Sequence, residues 1–133
     1  SLPLTGTVVV CTPQQVALID ALKAIAMFRK VNIPVLGVVE NMSGFICPDC
    51  DARHDIFGSG GARREAERLE IPMLGEIPIH VAIRERGDAG QTDVNFEDEL
   101  TAGYYNSIIN VLVNNLAAAV AEDPPRPQLP VLD

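Results

Sequence analysis

Thr7-Val8-Val9-Val10-Cys11-Thr12-Pro13-Gln14-Gln15, answered further on by Pro34-Val35-Leu36-Gly37-Val38-Val39-Glu40, decides the fold of this chain. Thr7–Cys11 is short, rich in β-branched residues and apolar on both faces, as in a strand buried within a parallel sheet. Thr12 suits a helix N-cap, Pro13 the first helical position, and Gln15 completes a capping box. The pattern predicts a helix from there to about Lys30. Leu18, Leu22 and Ile25 share its apolar face, and Arg29 and Lys30 complement its C-terminal dipole. Val35–Glu40 then reads as a second buried strand. Strand, helix and strand on short links demand parallel pairing and a right-handed crossover. The class is α/β.

Outward from this unit, Asn41–Gly61 is polar and glycine-bearing and reads as a long functional loop. Ser59 is expected to cap a short charged helix, Ala62–Leu69, which Ile71-Pro72 ends before a third strand, Met73–Ile77. A helical turn over Val81–Arg86 and a Gly/Asp-rich connection through Asp93 follow. Phe96 to about Glu122 reads as the longest helix, with Tyr105, Ile108, Ile109, Leu112, Leu116 and Val120 on its apolar stripe and Gly103 weakening its start. From Asp123, four prolines in eleven residues describe a flexible tail. The expected organisation is an α/β domain over 1–122, carrying a cysteine loop at 41–61, and a Pro-rich tail at 123–133. The chain opens without methionine on Ser1-Leu2-Pro3 and runs at once into a strand, so it reads as a piece of a larger protein.

The 133 residues suffice for one domain with a real core, which should be aliphatic because there is no tryptophan and little other aromatic content. The net charge of −8 argues against nucleic acid or an anionic membrane as partner, since phosphate backbones want a basic face. Three cysteines make no disulfide framework. With no signal peptide and no apolar run of about 18 residues, a cytoplasmic protein is expected.

Chemistry concentrates at Cys47-Pro48-Asp49-Cys50. Two thiols three positions apart hold one soft metal ion or one edge of an iron–sulfur cluster, and the proline stiffens the turn that carries them. Such centres usually take four protein ligands. Beyond the pair only Cys11 remains, and it reads as a core thiol ending a buried strand. Two ligands per chain therefore suggest that a second copy supplies the other two. A structural zinc knuckle, a glutaredoxin-like dithiol and simple surface cysteines are the competing readings. The dithiol needs a helix start after the first cysteine, and Asp51-Ala52-Arg53-His54 is a poor one. Asn41, at a strand end, could meet a purine edge or merely bond its own backbone. Gly58-Ser59-Gly60-Gly61 lacks the lysine of a phosphate-binding loop and reads as a link into a helix. His54 reads as a solvent-facing loop residue. His80 lies near the expected ligand edge without an identifiable partner.

Several runs occur in order: Thr12-Pro13-Gln14, Val38-Val39-Glu40-Asn41-Met42-Ser43, Cys47-Pro48-Asp49-Cys50, His54-Asp55-Ile56-Phe57-Gly58, Gly60-Gly61-Ala62 and Leu74-Gly75-Glu76-Ile77-Pro78. Together they closely resemble the C-terminal half of the Mrp/ApbC family of iron–sulfur P-loop ATPases, relatives of MinD and ParA, over roughly Pro3 to Gly90. The resemblance implies a partial doubly wound parallel sheet of the P-loop NTPase (SIMIBI) type. It also implies ATP and magnesium binding by the parent protein, a homodimer, and a 4Fe–4S cluster bridged between subunits and passed to apoproteins. By the same resemblance Cys47 and Cys50 match the cluster ligands, Asn41 the adenine-side asparagine, and the loop from Pro78 the segment bordering the base. Two departures stand out. The family's P-loop and magnesium-site acid would precede residue 1, so this segment alone is expected neither to bind ATP tightly nor to hydrolyse it. Ile79-His80 replaces the usual apolar residue and acid. A zinc-binding interaction module and a MinD-like ATPase with incidental cysteines are the alternatives.

Overall fold

The computed structural model describes residues 4–122. Strand β1 (Thr7–Cys11) leads into helix α1 (Gln15–Lys30), and β2 (Val35–Ile46) returns parallel to β1, with Val9 against Val38 and Cys11 against Glu40. A two-residue strand β3 (Arg53–His54) folds back antiparallel on the end of β2. Helix α2 (Gly61–Arg68) precedes β4 (Met73–Ile79), which lies parallel to β2 on the side away from β1. Helix α3 (Val81–Ala89), a 3-10 turn (Thr92–Phe96) and helix α4 (Glu99–Glu122) complete the described residues. The tail expected from Asp123 lies outside them.

Alternation along the strands sorts two faces. Val9, Cys11 and Val38 pack with Ala21 and Ile25 of α1 and Ala62 and Ala66 of α2 in one aliphatic core. The opposite face, carrying Val10, Val39 and Gly75 in register, receives α4. Gly75 is needed there, because a Cβ on it would fall 2.6 Å from Ile108. Tyr105, Ile108, Leu112 and Leu116 of the expected stripe are half-buried, while Ile109 and Val120 are exposed. Since α4 covers β4 and β2 and not β1, Val10 remains 59% exposed.

Several expectations are corrected. Thr12 does not cap α1: its hydroxyl donates to the Gln14 side chain, the helix begins at Gln15, and Gln14 at the N-cap makes no side-chain cap bond. Pro13 therefore precedes the helix. Ser59 does not cap α2 either; Gly60, in the left-handed region, takes the N-cap position. Strand β4 continues two residues past Ile77 and includes Pro78. Phe96 belongs to the 3-10 turn, its ring tilted at 49° against Tyr105 with centroids 5.1 Å apart, and α4 starts at Glu99. There Arg86 reaches across to Asp98, Asn95 and Thr101, pinning α3 and the turn to the helix. Among the described residues no helix is long and apolar enough to cross a membrane.

Candidate metal centre and the cleft beside it

The main difference from expectation concerns Asn41–Gly61. Strand β2 does not end at Glu40 but runs to Ile46, and the cysteines occupy the tip of a hairpin instead of an open loop. Two positive-φ residues make this possible, Met42 at 59° and Gly44 at 80°. They shift the pairing with β4 between Asn41 and Phe45, so the chain bends past the sheet without losing its ladder. Beyond Ile46 the hairpin closes tightly. The Asp51 amide donates to the Cys47 carbonyl at 2.9 Å and the Cys47 amide to the Ala52 carbonyl at 2.9 Å, with Asp51 itself at a φ of 57°.

This turn keeps both cysteines out of the core: Cys47 is half-buried and Cys50 exposed, and both thiols are free. The Asp49 amide, followed by the Cys50 thiol and the Cys50 amide, donates to the Cys47 sulfur and holds its thiol below the ordinary cysteine value. Backbone amides aimed at a sulfur stabilise the thiolate that a soft metal requires. Cys11 is the reverse case. It is buried in the core, and burial first and the Glu40 carboxylate second push its thiol up. Alkylation with iodoacetamide should therefore label Cys47 with a midpoint below that of an ordinary cysteine, leaving Cys11 untouched until the protein unfolds. Peptide mapping across a pH series checks this, and an ordinary or raised midpoint at Cys47 would refute it. Among the described residues no cluster of three or more His, Cys, Asp or Glu side chains is placed to hold a metal ion. Two thiols alone fall short of the four protein ligands such centres usually take. His54 lies in β3 opposite Phe45 and faces solvent.

Beneath the hairpin sits a polar cluster that sequence reading missed. Glu40 is fully buried. Its carboxylate accepts from the Ser43 hydroxyl at 2.8 Å and from the Ala62 amide at 3.1 Å. It thereby occupies the N-terminus of α2, the position an anion would otherwise take, which explains why the preceding glycines are no phosphate cradle. Ser43 also lies 3.0 Å from Glu76, which accepts from Arg63 at 3.0 Å. The one visible signal was an acid inside an otherwise apolar strand, Val35–Glu40.

The structure brings Asn41 and Pro78 together. Both line a cleft of about 530 Å³ with Met42, Phe57, His80 and Ile83. The Asn41 Oδ1 accepts from the Met42 amide at 2.9 Å, so its carbonyl serves the backbone and its amide group remains to donate. His80 acquires a partner: its Nδ1 accepts from the Ala82 amide at 3.2 Å and caps α3.

A family model described as ParA, NUBPL iron-transfer P-loop NTPase, matches residues 1–113. The chain belongs to this family. Among its relatives, the mouse iron–sulfur cluster transfer protein NUBPL is 53% identical over 91 residues, 68% of this chain and 28% of that protein. The iron–sulfur cluster carrier protein of Escherichia coli K12 is 51% identical over 106 residues, covering 78% of this chain and 29% of its own length. That of Deinococcus radiodurans is 46% identical over 97% of this chain and 36% of its own. The chain therefore spans about a third of these relatives. Among solved structures, the nucleotide-binding protein of Archaeoglobus fulgidus in complex with ADP aligns with a TM-score of 0.59 at 39% identity, over 66% of this chain and 36% of that one. The cell-division ATPase MinD of Pyrococcus furiosus aligns at 0.58 and 23% identity, over 86% and 43% of the two chains, which shows a shared fold. The NUBPL-type family and the P-loop NTPase architecture thus agree with what the motifs implied.

Proposed function

We propose that this chain carries an iron–sulfur cluster on Cys47 and Cys50, with the same pair of a second copy completing the ligand set. The observation that carries the reading is the hairpin tip, where two free thiols three positions apart sit outside the core, Cys50 exposed and Cys47 half-buried. Membership of a family whose relatives are named cluster carriers and transfer proteins supports it. The cargo in this reading is a 4Fe–4S cluster bridging a homodimer in the cytoplasm, delivered to apo iron–sulfur proteins. The exposure of Cys50 suits delivery, because an incoming thiolate can reach the iron from the solvent side.

ATP and magnesium belong to the longer protein. In this segment the cleft between Asn41 and Pro78 would receive the adenine: its walls are mostly apolar, and the Asn41 amide group supplies a donor for a ring nitrogen. Nucleotide-dependent rearrangement in the parent would then act on β2 and β4, the two strands that join the cleft to the hairpin.

Anaerobic reconstitution with ferrous iron and sulfide tests the proposal. The chain should take up iron and sulfide in equal amounts, about four of each per two chains, and sediment as a dimer while loaded. Uptake of zinc alone, with no iron or sulfide retained under anoxic conditions, would replace the cluster reading by a zinc-binding interaction module.

A further inference from the structure

Arg53 stands on the return strand of the hairpin, opposite Ile46 and one turn from the cysteines. Its Nε donates to Asp55 at 2.9 Å, and one terminal nitrogen lies 3.4 Å from the Ser43 hydroxyl and 3.9 Å from Glu76. The guanidinium thus ties β3 to β2 and reaches toward β4. Room for it is built in: a Cβ on Gly44 would lie 2.8 Å from the Arg53 Nε and 2.9 Å from its Cζ. Gly44 adopts a φ of 80°, which glycine alone takes without strain. So the same residue that lets β2 bend also leaves its backbone bare for the guanidinium to lie across.

The consequences reach further than the hairpin. Ser43 connects Arg53 to Glu40, hence to the N-terminus of α2, and Glu76 is held from the other side by Arg63 of that helix. The outgoing strand belongs to the sheet through its pairing with β4, but the return strand has few other holds on the domain: β3 has only two residues, both exposed, paired with Phe45 and Ile46. Arg53 is thus a side-chain tether from that return strand to β2 and β4.

We propose that Arg53 is a positioning residue for the cysteine pair, fixing the angle at which the 47–50 turn leaves the sheet so that both sulfurs face one partner copy. The inference rests on the cluster reading above and assigns a role to a residue outside the ligand set. Partly exposed ion pairs such as Arg53–Asp55 contribute little to global stability. Arg53 should therefore matter to the cargo and hardly at all to folding. Groups that orient metal ligands typically change metal retention by 10- to 100-fold.

The test compares wild type with Arg53→Gln, Arg53→Lys and Gly44→Ala after reconstitution with ferrous iron and sulfide. Arg53→Gln should fold with an unchanged thermal midpoint, yet release iron to a ferrous chelator roughly tenfold faster. Arg53→Lys keeps the charge and should recover part of the loss. Gly44→Ala keeps Arg53 but removes its resting place and should reproduce the fast release. In the metal-free chain, amide exchange at Cys47, bonded to the Ala52 carbonyl, should rise in Arg53→Gln. Equal release rates and equal exchange in Arg53→Gln and wild type would overturn the positioning role while leaving the cluster reading intact. A wild-type chain that takes up no iron and sulfide would remove the cluster reading first, and this inference with it. Should Arg53→Gln fail to fold, the claim that the residue serves the cargo and not stability is wrong.

Discussion

Replacing Cys47 or Cys50 with alanine is expected to abolish cluster retention, with iron held at least roughly a hundredfold more weakly, because in the proposed two-chain site one thiolate lost from each chain leaves two ligands where four are needed. Neither substitution should disturb folding. Both side chains sit at an exposed hairpin tip, where truncation ordinarily changes stability by within about 0.5 kcal/mol. Cys11→Ala provides the contrast. That thiol packs in the core between α1, α2 and the sheet, so its loss should lower stability and leave iron and sulfide content at the wild-type level. Iron and acid-labile sulfide analysis, with the charge-transfer absorbance of the reconstituted protein, reads all three variants. Full cluster content in either Cys47→Ala or Cys50→Ala would end the assignment of these residues as ligands.

Glu40→Ala is expected to produce the largest loss of stability. The carboxylate is fully buried and serves two donors at once, the Ser43 hydroxyl and the Ala62 amide at the start of α2. Truncation leaves the Ala62 amide without its acceptor, while the Ser43 hydroxyl keeps only Glu76 at 3.0 Å, and it opens a cavity beside Val38 and Cys11. One unsatisfied buried donor costs about 1–3 kcal/mol and the cavity adds to this, so a loss of about 2–4 kcal/mol is expected. Against a total of about 5–15 kcal/mol for an ordinary domain, that puts the fold close to its limit. Glu40→Gln fills the same volume and keeps one acceptor oxygen, so it should cost about 1–2 kcal/mol. Urea denaturation of the metal-free chain separates the two. A Glu40→Ala midpoint within error of wild type would show that the buried carboxylate is dispensable. The distribution of the cost can be checked as well: in Ser43→Ala the Ala62 amide keeps its acceptor, so that variant should lose less than Glu40→Ala.

The two predictions touch residues whose legibility in the sequence differed sharply. The cysteine pair announces itself by spacing, and its surroundings merely aim it. Glu40 could be seen only as an oddity, an acid at the end of a run of valines. Its partners are Ser43, three positions on, and Ala62, which is brought to it by the packing of α2 on the sheet. No local pattern records an acceptor supplied from another strand to a helix start. The same reason explains the two misassigned caps. Thr12 and Ser59 satisfy the local rule for capping side chains, but Thr12 is engaged with Gln14, and the α2 terminus is already served by Glu40.

The order of strands and helices, the parallel sheet, the aliphatic core and the family were all set by features that act locally. Continuous β-branched apolar runs, short links and an ordered set of family motifs can be read without knowing any tertiary partner. Tertiary structure alone decided that β2 continues through Ser43 to Ile46 and that the cysteines project from a hairpin. That continuation depends on hydrogen bonds exchanged with β4, a strand far away in the chain, and on a left-handed backbone at Met42 and at Gly44, where glycine takes it without strain. Polar residues after Glu40 look like a loop when read in sequence, since nothing in them shows that neighbouring strands will supply their backbone partners.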